Sequence, residues 1–196
     1  MEKEKLDRLI KKKNGYITTE DAELEGIHRE YLSIYVEEEK LIRTAHGMYQ
    51  SPEVWDDFLY TFQHKKKRVI YSHETALFFH GLSDRYPITH SVTVPSGYNT
   101  SQIKVENLTT YTIKADLFDL GKTFAKTPFG NDIYIYDLER TICDIVRSRN
   151  KIDKEVFQSA LKRYVQSRDK NLVKLVEYAK LLKILSIVKG YLEILL

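Results

Sequence analysis

A single cysteine, Cys143, is all that this chain of 196 residues contains, so neither an intramolecular disulfide nor a thiolate zinc cage can form. Long hydrophobic runs are missing as well. The apolar C-terminal stretch is interrupted by Lys180, Lys183, Lys189 and Glu193, too often for a bilayer span. The first residues are charged rather than apolar, which excludes a signal peptide, and together these absences predict a cytoplasmic protein. No Gly-rich phosphate loop, Ser/His/Asp motif or nucleotide fingerprint occurs, which argues against an enzyme. No cofactor or metal is expected, and neither an internal repeat nor a low-complexity segment is found.

What is present describes an ordinary core-forming chain. Hydrophobic residues make up 42% and charged residues 30%, so disorder and fibrous structure are disfavoured. The length suits two small domains. Tyrosine, at 14 residues, favours half-buried strands and interfaces. The net charge of +3 is unevenly spread: residues 1–52 hold nine Lys/Arg against eleven Asp/Glu, whereas residues 151–196 hold ten against five.

The first fifty-two residues predict three short helices and a two-stranded wing. A helix over Glu2–Lys13 is followed by Tyr16–Ala22, read as a capped helix start with Thr18 or Thr19 as N-cap. Thr18 with Asp21 fits a loose capping box, and Glu20 and Asp21 suit the first-turn dipole. Gly26 separates the second helix from a third, in which Ile27, Leu32, Tyr35 and Val36 fall at helical spacing. That spacing turns His28, Arg29, Ser33 and Glu37 outward, with Tyr31 intermediate. Gly47 sits between the β-prone runs Leu41–Thr44 and Met48–Gln50. Such an arrangement is a winged helix-turn-helix, in which the start of the third helix reads base edges and the wing grips phosphate. The predicted DNA-contact residues are Thr18, Thr19, His28, Arg29, Tyr31, Ser33, Arg43 and His46. Glu37-Glu38-Glu39 oppose this reading unless they lie on another face.

A boundary is expected near Ser51–Asp56, giving a winged-helix domain over 1–53 and an α+β domain over 54–196. The second part reads as a helix over Val54–His64 with Trp55, Phe58, Leu59 and Phe62 on one side. A helix capped by Ser72 and ended by Gly81 follows, then strands at His90–Val94, Leu108–Lys114, Thr123–Thr127 and Asp132–Tyr136. Asp137 caps a helix with Leu138, Ile142, Ile145 and Val146 on one face. From Asp153 to Leu196 the pattern is all-helical, with turns near Arg168 and at Ser186 or Gly190. The predicted fold class is therefore α+β: a winged helix-turn-helix, a mixed α+β domain and a C-terminal helical segment.

Candidate chemistry in this part has plain structural explanations beside it. His73 and His80, seven apart, with Asp84 and His90 downstream, lack any metal-ligand motif, and capping and packing account for them more cheaply. Arg140 and Asp144, four apart, fit an exposed helix ion pair better than a phosphate binder. Cys143 reads as a small core residue. His64, Lys65, Lys66, Lys67 and Arg68 form either a solvated turn or further phosphate contacts. Lys162, Arg163, Lys170 and Lys174 form either a solvent face or an additional nucleic-acid or partner surface.

Taken in order, these blocks resemble a known family. Gly26-Ile27-His28 leads to Leu41-Ile42-Arg43 and Gly47-Met48-Tyr49 with Pro52. Ser72-His73-Glu74-Thr75-Ala76-Leu77, His80-Gly81-Leu82-Ser83-Asp84 and Asp137-Leu138-Glu139-Arg140-Thr141-Ile142-Cys143-Asp144 follow. The chain resembles, over nearly its whole length, the AbiEi antitoxins of bacterial type IV toxin–antitoxin and abortive-infection systems. The resemblance implies an autorepressor that binds inverted-repeat promoter DNA through its winged helix. It also implies a C-terminal domain that counters a nucleotidyltransferase-like toxin without a stable complex, in defence against phage. It carries over no catalytic residues. With no dimerisation heptad in the sequence, a monomer in solution that meets its second copy on DNA is expected. Two alternatives stand: a transferase acting on the toxin or a nucleic acid with the winged helix as docking module, and a module that titrates the toxin directly.

Overall fold

The computed structural model describes residues 2–103 and 108–195; the ends of the expected domain ranges at Met1 and Leu196 lie outside these. The structure divides into two compact units, Met1–Lys67 with Lys126–Ile133, and Arg68–Ala125 with Tyr134–Leu196. The first unit thus runs past the boundary expected at Ser51–Asp56 and recruits a distant segment.

In the first unit, α1 (Glu2–Lys12) buries Leu6 and Leu9 and carries Glu2 and Glu4 in its first turn and Lys11 and Lys12 in its last, the charge order a helix dipole favours. After it comes β1 (Tyr16–Thr18), every residue of it buried. Sequence patterning read this stretch as a helix start, because the Thr18 cap follows immediately; two β-branched residues and a tyrosine instead form a third strand. Thr18 then caps α2 (Thr19–Leu24): its Oγ1 accepts from the Asp21 amide at 3.0 Å, and the Asp21 carboxylate accepts from the Thr18 amide at 3.0 Å. Lys13 Nζ lies 2.6 Å from the same carboxylate. Burial works against ionisation of Asp21, yet Lys13 and Thr18 outweigh it and hold the acid below its ordinary value.

Next, α3 (Glu30–Glu37) buries Leu32 and Tyr35, which join Ile27, Leu6, Leu9, Ile17, Ala22 and Leu41 in one core. Strands β2 (Ile42–Ala45) and β3 (Met48–Gln50) complete an antiparallel sheet of order β1-β3-β2, in register Ile17↔Tyr49 and Arg43↔Tyr49. Helix α4 (Phe58–Lys65) starts four residues later than the sequence implied. Asp57 caps it, and Trp55, expected on the buried side of that helix, lies ahead of it and is 83% exposed.

The second unit is built on a sheet of order β6-β5-β4-β8-β7, from β4 (Ile70–Tyr71), β5 (His90–Pro95), β6 (Leu108–Ile113), β7 (Lys122–Lys126) and β8 (Asp132–Tyr136). β4 pairs antiparallel with β5 and parallel with β8, and β5 pairs parallel with β6. The tip of β7–β8, Lys126–Ile133, belongs to the first unit. Helices α5 (His73–Phe79), α6 (Leu138–Arg147), α7 (Lys154–Gln166), α8 (Leu172–Leu181) and α9 (Leu185–Leu195) supply the rest. α6 is buried from Glu139 to Val146 on all sides, not on one face as its apolar spacing implied. Its polar residues are therefore paired inside the protein: the Glu139 carboxylate accepts from the Asn171 amide at 2.9 Å and lies 3.5 Å from Lys174 Nζ. The last helical break falls at Leu182–Ile184, where Lys183 has φ 59°, and α9 runs through both Ser186 and Gly190. Among the described residues no helix is long and apolar enough to cross a membrane.

Burial holds three histidines of this unit below the ordinary imidazole value of 6.5. For His73 the cations Arg147, Arg140 and Lys151 add to it, and for His80 it outweighs the hydrogen bond to the Tyr136 carbonyl. A group with a depressed folded value takes its proton more readily in the unfolded chain. Stability is therefore retained above the unfolded value and lost as pH falls through it. The thermal midpoint is expected to drop between about pH 7.5 and 5.5, with a shallower slope in His73→Gln. A midpoint flat over that window contradicts the assignment. Asp21 and Asp84, held below the ordinary carboxylate value, contribute their losses only at lower pH.

Candidate nucleic-acid interface

The first unit carries a concave groove of about 1150 Å³, formed where the N-terminal ends of α2 and α3, the β2–β3 wing and the C-terminal end of α4 converge. Thr18, Thr19, His28, Arg29, Ser33, Arg43 and His46 line it, so the fold brings together seven residues singled out from sequence. Tyr31, the eighth, is half-buried against the α3 core instead. His28 and Arg29 precede α3, Arg29 as its N-cap, and both are exposed. Their side chains stand at the helix entrance, where the helix dipole also favours an anion.

The wing is tied to α2 at its tip. The Thr19 amide donates to the Gly47 carbonyl at 2.9 Å. Gly47 has φ +67°, and a Cβ there would stand 3.3 Å from Thr19 Oγ1, so both the turn and the close approach call for glycine. Arg43 Nη2 lies 3.4 Å from His46 Nδ1, which places a guanidinium and an imidazole side by side on the wing.

From the end of α4 the groove gains Lys65 and from just beyond it Lys67, while Lys66 and Arg68 of the same basic run do not line it. His64 lines it too; burial first, then Lys67, lowers its pKa. Three acids, Glu20, Glu23 and Glu30, also face the groove and temper its charge. Sequence reasoning missed these acids. The three-residue spacing of Glu20 and Glu23 on one helix was the available signal.

The acidic end of α3 lies elsewhere. None of Glu37, Glu38 and Glu39 lines the groove, and Glu38 is paired with Lys3 at 2.5 Å and Lys40 at 2.8 Å. Those two lysines hold the Glu38 carboxyl below its ordinary value.

In the second unit three of the four remaining cationic candidates are engaged individually. Arg163 makes a bidentate pair with Asp84; Lys170 Nζ donates to the Ser167 carbonyl at 3.1 Å; Lys174 Nζ lies 3.0 Å from Asp137. Lys162 is exposed on α7. His80 donates through Nε2 to the Tyr136 carbonyl at 2.7 Å, His73 lies between Ser72 and Ser148, and the His90 ring meets the Tyr86 edge. Ser72 precedes α5 but makes no side-chain cap bond. Burial pushes the Cys143 thiol up to about 12, which removes it as a nucleophile.

Residues 4–52 match the family described as "Transcriptional regulator, AbiEi antitoxin". No curated protein matches the chain. Among solved structures, the RV2827C protein from Mycobacterium tuberculosis shares the fold, with a TM-score of 0.54 at 13% identity. That superposition covers 84% of this chain and 66% of the other, so the chain spans just under two thirds of its length. The family match is shorter than the resemblance read from sequence, and the likeness beyond residue 52 is one of fold. Over residues 4–52, the stretch that builds most of the groove, the chain is similar to the transcriptional-regulator module of AbiEi antitoxins.

Proposed function

We propose that the protein is a cytoplasmic antitoxin and autorepressor that binds inverted repeats in its own promoter through this groove. One observation carries the reading: the entrance of α3, the wing and the end of α4 present Arg29, Arg43, Lys65 and Lys67 to a single concave surface, with Thr18, Thr19, His28, Ser33 and His46 between them. Arg29, His28 and Ser33 enter the major groove; Arg43 and His46 hold the wing to the backbone; Lys65 and Lys67 neutralise phosphates beside it. The protein is a monomer in solution and binds as two copies on the repeat. The second unit counters a nucleotidyltransferase-like toxin without a stable complex, and no residue of it is assigned to catalysis.

Two substitutions separate reading from neutralisation. Arg29→Ala should weaken operator binding by about 1–3 kcal/mol and relax preference at one base position. Lys67→Ala should weaken all sequences alike and lower the salt dependence by about one phosphate. Fluorescence anisotropy on operator and scrambled duplexes distinguishes the two. Unchanged operator affinity in Arg29→Ala removes that residue from the reading surface. Light scattering without DNA should return the 23.1 kDa monomer mass; a dimer contradicts assembly on the operator.

A further inference from the structure

In the second unit the fold brings the edge strand β6 beside the C-terminal end of α6, around a concavity of about 370 Å³. Thr110, Tyr111 and Thr112 line one side, and Arg147, Ser148, Asn150 and Lys151 the other. Every described residue that lines it is polar, and none of these is an acid.

The support under this surface is rigid. The Tyr111 ring stacks on the His73 imidazole, with centroids 3.5 Å apart and planes within 11°. His73 Nε2 pairs with Ser148 Oγ at 3.0 Å, and Nδ1 with Ser72 Oγ at 2.9 Å. The His73 backbone sits at φ 49°, a left-handed conformation that a non-glycine residue keeps only where its surroundings over-determine it. Buried and neutral, this histidine anchors both sides of the concavity at once, through Tyr111 and through Ser148.

The charges above it are unbalanced. The Arg147 guanidinium has Asp144 at 3.8 Å, but that carboxylate is buried and bonded to Arg140. The Lys151 ammonium makes no ion pair among the described residues, and its backbone amide closes the turn onto the Ser148 carbonyl at 2.8 Å. Two cations, the Tyr111 and Ser148 hydroxyls and the Asn150 amide therefore meet the edge of β6 at one concavity, with no acid among the described residues that line it. Such a donor set matches the oxygens of a phosphate group, and the volume suits one nucleotide.

We propose that this concavity binds a phosphate group, carried either by a free nucleotide or by a nucleic-acid strand, with Arg147 and Lys151 as its charged ligands. The test uses the full-length, ¹⁵N-labelled protein, titrated with inorganic phosphate, a nucleoside triphosphate and a 5′-phosphorylated single-stranded oligonucleotide. Sodium chloride at matched ionic strength is the control. Amides of residues 110–112 and 147–151 are expected to shift together and saturably with phosphate. The tighter of the other two probes identifies the source. Lys151→Gln, at an exposed position, should weaken saturation about tenfold with the remaining spectrum unchanged, and Arg147→Gln should do the same. Shifts no larger than those with chloride, or unaltered saturation in Lys151→Gln, overturn the proposal. Should Arg147→Gln fail to fold, the Lys151 variant decides alone.

Discussion

Arg140→Ala is expected to destabilise the second unit by about 3–5 kcal/mol, a large part of the total stability of a domain. Arg140 and Asp144 are both 0% exposed, with Nε donating to Oδ2 at 3.0 Å. The same guanidinium donates through Nη1 to the carbonyls of Leu117 at 2.9 Å and Leu120 at 2.7 Å, and stacks over the Tyr136 ring at 4.1 Å. Glycine at 121 admits it, since a Cβ there would lie 2.6 Å from the Arg140 Cβ. Burial pushes the Asp144 carboxyl up against the pull of Arg140 and Arg147. Removing the arginine strands that acid and two loop carbonyls in the core. Replacing both partners with apolar residues of similar size should cost far less, because no charge is then left unpaired. Urea unfolding followed by circular dichroism measures both. A loss under about 1 kcal/mol in Arg140→Ala contradicts the assignment. The same geometry bears on the transferase alternative: loss of toxin neutralisation in Asp144→Asn reports a damaged core before it reports chemistry.

Asp57→Ala should cost the first unit about 3 kcal/mol. Its Oδ1 caps α4 by accepting from the Tyr60 amide at 3.2 Å, while Oδ2 accepts from Thr127 Oγ1 at 2.5 Å and Asn131 Nδ2 at 2.9 Å. Its own amide donates to the Tyr16 hydroxyl at 2.7 Å, and that hydroxyl donates to the Trp55 carbonyl at 2.9 Å. The lost cap is worth about 1 kcal/mol, and each stranded buried donor about 1–3. Asp57→Asn retains the cap and should lose less. Equal losses in the two variants would show that the cap on the Tyr60 amide carries no weight beside the bonds to Thr127 and Asn131.

How much of this was legible in sequence follows from the range of each interaction. The α3 periodicity, the Thr18–Asp21 capping box and the Gly47 turn depend on neighbours within a few positions, and the residues name them directly. Asp57 was unreadable as a tether, since its partners lie at positions 127 and 131 and no local pattern joins them. Arg140 and Asp144 were read as an exposed pair because four-residue spacing says nothing of what covers a helix; α6 is covered on all sides. Lys183 breaks the C-terminal helices with neither glycine nor proline to mark it. The groove mixes both cases. Its α3 and wing residues follow from motif order, while Lys65, Lys67 and the three acids join it only through packing.

The most direct test of the account is anisotropy of the full chain on duplex DNA from upstream of its own gene, against a scrambled duplex, at two salt concentrations. A sequence-reading groove predicts at least tenfold tighter binding to the natural duplex at both salts, since one well-placed base contact alone contributes about 1–3 kcal/mol. Equal affinities with the same steep salt dependence would leave only phosphate attraction, and the autorepressor reading would fall.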